Sequence, residues 1–154
     1  MKKLLFLAAG ILLLPQAGTA QTASDSAAIR GAALDYIEGW YTGDAVRMER
    51  ALHPELAKRI LMANSNEPGK HFMHMTADQL VDGARRGGGS NTPADEQRKE
   101  VRILDIFRGT ASVRVDARTW VDYLHVVQDG DGHWSIINVL WELREDPAPT
   151  GDDS

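Results

Sequence analysis

WVDYLHVVQDGDGHWSIINVLWEL, residues 120–143, reads as two strands joined by a tight turn. Val121 to Gln128 forms the first strand and His133 to Leu143 the second. Between them, Asp129-Gly130-Asp131-Gly132 supplies residues that tolerate positive φ, as a hairpin connection requires. Successive side chains on a strand point to opposite faces. That period sends Trp134, Ile136 and Leu140 one way and Ile137, Val139, Trp141 and Leu143 the other. A strand apolar on both sides is covered on both sides. Helices must lie over one face, and a curl of the sheet or a second subunit over the other.

Upstream, two more strands are expected. Val101 to Arg108 puts Val101, Ile103 and Phe107 on one face and Leu104 and Ile106 on the other. After Gly109, Ala111, Val113, Val115 and Ala117 alternate with Ser112, Arg114, Asp116 and Arg118, giving one dry and one wet face. Before these strands the period changes to helical. Ile29, Ala33, Tyr36, Ile37 and Trp40 form one stripe, with Ser24 or Ser26 as the cap and Gly43 as the stop. Asp44 caps a second helix with Val46, Met48 and Leu52 inward. Pro54 suits the first position of a third, with Leu56, Ile60 and Leu61 inward and Glu55, Lys58 and Arg59 outward. Ala63 to Lys70 has the composition of a loop. Thr76-x-x-Gln79 matches a capping box opening a short helix to about Ala84. Arg85 to Glu100, with Gly87-Gly88-Gly89, reads as a long loop and a candidate lid. Helices first and strands last make an α+β domain: a cone-like curled antiparallel sheet of about four strands against two to three N-terminal helices.

The ends of the chain read differently. Met1-Lys2-Lys3, the apolar run Leu4 to Leu14, and Gly18-Thr19-Ala20 have the pattern of a cleaved signal peptide over residues 1–20. The run is too short for a membrane span, which takes ~20 residues. The domain then covers residues 21–144, and Glu145 to Ser154 is an acidic, Pro-rich tail of disordered composition. The expected address is periplasmic or secreted, with no membrane association after cleavage. Without Lys2 and Lys3, 15 basic side chains face 22 acidic ones, a net charge of −7. Such a surface is a poor partner for nucleic acid. Cysteine is absent, so disulfides and thiol chemistry are excluded.

Few residues carry a chemical signature. There is no Gly-x-Ser-x-Gly elbow, and the Gly87–Gly89 run lacks the lysine of a phosphate loop. His71 and His74 have no carboxylate pair beside them, so no metal site is expected. Asp129-x-Asp131 is too short for a calcium loop. No cofactor is expected. The informative polar groups interrupt apolar patterns: Tyr36 on the helix stripe, Asp122, Tyr123 and His125 in the first hairpin strand, and Asn138 in the second. Alternation separates Asp122 from Tyr123 and His125, so one cavity holds one set or the other. Lys58 and Arg59 are candidates for an anionic ligand, and His53 is a further candidate.

Asp35-Tyr36-Ile37-Glu38-Gly39-Trp40-Tyr41-Thr42-Gly43-Asp44, Leu52-His53-Pro54, Leu56-Ala57-Lys58-Arg59, Asp122-Tyr123-Leu124-His125-Val126 and Trp134-x-Ile136-x-Asn138-Val139-Leu140-Trp141 together resemble the nuclear-transport-factor-2-like superfamily, most closely its putative lumazine-binding branch. The resemblance spans residues 27–143. It implies a cone-shaped α+β barrel with a small-molecule pocket, often dimeric through the outer sheet face. The superfamily includes ketosteroid isomerase, in which a Tyr and a protonated Asp form an oxyanion hole beside an Asp base. Tyr36 matches that Tyr and Asp122 falls near the oxyanion Asp. The base position is occupied by Ile60, so isomerase chemistry lacks its proton acceptor.

Three readings follow. The first is an exported small-molecule-binding domain with a pocket between helix one and the sheet, for an aromatic or heterocyclic ligand, using Tyr36, Trp40, Lys58, Arg59 and Tyr123. The second is a cofactor-free lyase or isomerase using Tyr36 and Asp122 with His53 or His125. The third is a dimeric structural or interaction protein. Trp141 offers stacking surface in the first reading, although its place mid-pattern predicts a core role. A homodimer through the outer sheet face is expected in each.

Overall fold

The 120–143 hairpin lies inside a larger sheet. A computed structural model describes residues 17–64 and 67–144. The elements run α1 (Ala17–Thr42), α2 (Ala45–Ala51), β1 (Leu52–Asn64), β2 (Glu67–Met75), α3 (Ala77–Arg85), β3 (Glu100–Phe107), β4 (Thr110–Asp116), β5 (Trp120–Gln128) and β6 (Trp134–Leu143). One curled six-stranded sheet has the order β2-β1-β6-β5-β4-β3. Every neighbouring pair is antiparallel except β1 and β6, which run parallel. The expected signal peptide lies mostly outside the described residues, and the acidic tail wholly so.

The α+β class and the hairpin are as expected, but the sheet has six strands rather than about four. The two extra strands come from 52–75, read above as a short helix and a loop. LAKRIL fits both periods: Leu56, Ile60 and Leu61 share a helix face, while Leu56, Lys58 and Ile60 alternate on a strand. The strand wins because its inward positions meet partners, including one for the Lys58 ammonium. Pro54 is accommodated because the β1–β6 register breaks between Leu52 and Ala57. Leu61 is therefore exposed.

Two bulges correct the face assignments. In β6, Ile136 pairs with Val126 and Asn138 with His125, so Ile137 is an extra residue. Parity inverts there, and Ile136 and Val139 both point into the core while Leu140 points out. In β3, Leu104 is the extra residue between Ile103 and Asp105. Val101, Ile103 and Ile106 consequently pack on the core, and Leu104 and Phe107 are exposed.

The helices behave more nearly as read. Ile29, Ala33, Tyr36 and Ile37 of α1 are buried against the sheet. The helix already begins at Ala17, upstream of the Ser24 and Ser26 cap positions. Gly43 ends it at φ +69, and the Asp44 side chain caps α2 by accepting from Arg47 N. Met48 and Leu52 face inward, but Val46 is 71% exposed. The capping box of Thr76 and Gln79 is formed in full.

The glycine run is not a lid. Gly88 N donates to Gly83 O at 2.9 Å and Gly89 N to Trp40 O at 2.8 Å. A Cβ on Gly88, which sits at φ +49, would come within 2.5 Å of the Trp40 carbonyl oxygen, and one on Gly89 within 2.8 Å of the Trp40 ring. These glycines exist so that backbone can lie against Trp40.

Candidate functional site

Inner-face residues of β1, β5 and β6 meet α1 around a cavity of about 260 Å³. Its wall is Tyr36, Ile37 and Trp40 from α1, Lys58 from β1, Met75 from β2, Leu80 from α3, Trp120 from β5, and Trp141 and Leu143 from β6. The register explains the convergence: Lys58 pairs with Val139 on one side and Met75 on the other, and Asp122 pairs with Trp141. The Gly87–Gly89 segment backs Trp40 from behind and fixes one wall.

A closed polar cluster lies at this cavity. Lys58 Nζ donates to Tyr36 OH at 2.5 Å and to Asp122 Oδ1 at 2.8 Å. Tyr36 OH donates to Asp122 Oδ2 at 3.3 Å, and Trp120 Nε1 donates to the same oxygen at 2.7 Å. Asp122 is 0% exposed and Lys58 5% exposed. A buried charge is tolerated only when paired and hydrogen-bonded, and each charge here neutralises the other. The Lys58 ammonium also lies 5.3 Å from the centre of the Tyr36 ring and 4.7 Å from that of Trp141. Burial pushes the Tyr36 phenol well above its ordinary value of 10.0, and the Asp122 carboxylate adds to the shift. The phenol is neutral at any physiological pH.

This geometry limits the chemistry. An oxyanion hole of the ketosteroid isomerase type needs a Tyr and a protonated Asp both free to donate. Here the Tyr36 proton goes to Asp122, and Asp122 acts as acceptor for three donors. Ile60 is fully buried and brings no base. Among the described residues, no group of three or more His, Asp or Glu is placed to hold a metal ion.

Of the sequence candidates, Tyr36, Asp122, Lys58 and Trp40 come together. The rest do not. Tyr123 and His125 project from the outer face of β5, and His125 lies beside Asn138 at 3.3 Å. Arg59 is also on the outer face and donates to Asn138 Oδ1 at 2.9 Å. His53 accepts from Glu55 N at 3.1 Å and is not part of the cavity wall. His71 and His74 belong to β2 and alternate to opposite faces, opposite Met62 and Arg59. Trp141 lines the cavity rather than being core alone. Trp120 escaped the sequence reading altogether. Its signal was the Trp120-x-Asp122 spacing, which puts indole and carboxylate on one strand face. The turn that delivers it, lacking Gly or Pro, is held by Arg118 N donating to Tyr41 OH at 3.0 Å and Arg144 N donating to Thr119 O at 2.8 Å.

A curled sheet wrapped on an N-terminal helix, with a cavity between them, defines the nuclear-transport-factor-2-like class. Solved structures agree. An NTF-2-like protein of unknown function from Silicibacter pomeroyi is 17% identical, with a TM-score of 0.59 over 80% of this chain and 98% of that one. One from Shewanella baltica is 14% identical, with a TM-score of 0.59 over 80% and 97%. A ketosteroid isomerase-like protein from Erwinia carotovora atroseptica is 13% identical, with a TM-score of 0.51 over 78% and 96%. At these identities the likeness is one of fold. Within the class, the chain belongs to the family described as "Putative lumazine-binding", whose model matches residues 24–142. No protein with curated annotation matches the chain.

Proposed function

We propose that this protein binds a small, flat, largely apolar aromatic or heterocyclic molecule in the cavity between α1 and the sheet, without transforming it. The observation that carries this reading is the combination of aromatic walls with a polar cluster that is already internally satisfied. Trp40, Trp120, Trp141 and Tyr36 offer stacking surface. Lys58, Tyr36 and Asp122 hydrogen-bond to one another, so the Tyr36 proton, two of the three Lys58 protons and both Asp122 oxygens are already engaged. An apolar cavity of ~150 Å³ takes benzene; this one has room for two or three fused rings. The family's description supports a heterocyclic ligand and the fold supports a small-molecule site.

The signal-like N-terminus supports export to the periplasm or beyond, with the domain starting at Gln21. Intact mass of the exported product tests this; a full-length mass in a washed membrane fraction would defeat it. The outer sheet face exposes Leu61, Phe72, Tyr123 and Leu140, which supports a homodimer through that face. Sedimentation at micromolar concentration should give twice the protomer mass, and a monomer would remove the idea.

Equilibrium dialysis tests the binding reading. Naphthalene and lumazine bracket the ligand class, one purely apolar and one strongly polar. Saturable binding of one site per protomer by either supports a binding domain. Failure of both sinks the reading.

A further inference from the structure

We propose that the ligand carries a flexible aliphatic chain on its ring, and that this chain leaves the cavity between β1 and β6 along the methionines of β1 and β2. The inference rests on the binding reading above and adds the part of the ligand that lies outside the cavity.

A break in the sheet supplies the exit. β1 and β6 run parallel, and their pairing ends at Arg59–Leu140. Both strands continue in the same direction, β1 to Asn64 and β6 to Leu143. Beyond Arg59–Leu140 no register joins them among the described residues. Cavity wall stands on both sides of this break: Lys58 and Met75 on β1 and β2, Trp141 and Leu143 on β6. Leu143 is 45% exposed, so the wall reaches solvent here.

Past the break, β1 keeps β2 as its one strand neighbour, with Ile60 paired to Met73, Leu61 to Phe72 and Met62 to His71. This two-stranded arm is apolar on both faces. Leu61 and Phe72 belong to the outer face, assigned above to the dimer. Ile60 and Met62 follow Lys58 at two-residue steps, and Met73 precedes Met75 by two, so all share the face of the cavity wall. Ile60 is fully buried, yet Met73 is 53% exposed. A two-stranded ribbon is marginal in water unless a face is packed. An apolar track therefore begins inside the cavity at Met75 and runs outward about 7 Å to Met73, two residues of strand. Methionine side chains are unbranched and adaptable, and suit a flexible chain better than a second rigid ring. A polar group suits only the far end of that chain, where Lys70 and His71 are exposed.

The probes are naphthalene and a naphthylbutanol, the same ring carrying a four-carbon chain that ends in a hydroxyl. Dissociation constants are measured for both with wild type, Met73→Gln and Phe72→Gln. Phe72 is the adjacent residue on the opposite face and is 57% exposed. A methylene laid on apolar surface adds about twofold to fourfold in affinity, so wild type should prefer the naphthylbutanol by about fivefold or more. Met73→Gln should cut that preference by about threefold or more and leave naphthalene binding unchanged. Phe72→Gln should leave the preference as in wild type. A wild type that gains nothing from the chain overturns the proposal. So does a preference that survives Met73→Gln or falls equally in Phe72→Gln. If Met73→Gln does not fold, wild type still decides by nuclear magnetic resonance: the chain methylenes should show Overhauser contacts to the Met73 methyl and none to the Phe72 ring. Missing Met73 contacts would overturn it. Naphthalene binding without a chain effect strikes this inference alone, whereas failure of both probes strikes the binding reading and this inference with it.

Discussion

The two faces of β5 and β1 carry similar chemistry and use it differently. Asp122 and Tyr123 are adjacent in sequence, as are Lys58 and Arg59. On the inner face, Asp122 and Lys58 are closed into one cluster with Tyr36 and Trp120. On the outer face, Tyr123 stays 47% exposed, with Arg114 lying 5.9 Å from its ring centre, while Arg59 bonds Asn138. Residue type does not separate these pairs; strand parity does. A one-residue slip would exchange the site for the surface.

The contrast can be broken most sharply at Lys58. Lys58→Ala leaves Asp122 buried and uncompensated, so urea unfolding should show a loss of ~3–5 kcal/mol. Arg59→Ala, one residue on, should cost ~1 kcal/mol or less, because only a half-buried bond to Asn138 is lost. Equal losses for the two would mean that the inner cluster is not what holds this part of the sheet.

Core packing gives the next effect. Leu124→Ala, at a position 1% exposed between Val113 and Val139, should lower stability by ~2–5 kcal/mol in the same assay.

Tyr36→Phe is smaller and carries a pH signature. It removes a buried hydroxyl that accepts from Lys58 and donates to Asp122, so a loss of ~1–3 kcal/mol is expected. The folded-state value of Tyr36 is raised, so its neutral form is favoured by folding. The corresponding stability is fully present below the ordinary tyrosine value and is lost as pH rises through the raised one. Wild type should therefore destabilise more steeply above about pH 10 than Tyr36→Phe does. Parallel pH profiles would show that Tyr36 ionises as freely folded as unfolded.

The smallest effects belong to the outer face. Tyr123→Phe and His125→Ala should each change stability by no more than ~0.5 kcal/mol and leave ligand affinity alone. A several-fold loss of affinity in either would return the outer face to the list of candidate sites.

Most of the architecture was legible because hairpin, caps and helix stripe are local signals. Asp129 to Gly132, Asp44 and the Thr76–Gln79 box each act within a few residues of themselves. The segment 52–75 was not legible, because LAKRIL satisfies two periods and only tertiary partners choose between them. The bulges at Leu104 and Ile137 were equally hidden, since a bulge leaves the composition of a strand unchanged while inverting its parity. The site was half legible. Tyr36 and Asp122 stood out as polar groups in apolar patterns. Lys58 was misplaced with its helix, and Trp120 was overlooked because a tryptophan at a strand start carries no chemical flag. Gly87–Gly89 was read for flexibility when its function is close approach to Trp40.

The account stands most directly on where the ligand sits. Leu143 lines the cavity yet is 45% exposed, whereas Leu140, 52% exposed, lies on the opposite sheet face. Equilibrium dialysis of naphthalene against wild type, Leu143→Trp and Leu140→Trp compares the two faces with the same substitution. Leu143→Trp should occlude the cavity and weaken binding at least tenfold, with Leu140→Trp within twofold of wild type. Binding that survives at Leu143 and fails at Leu140 would contradict an inner-face site.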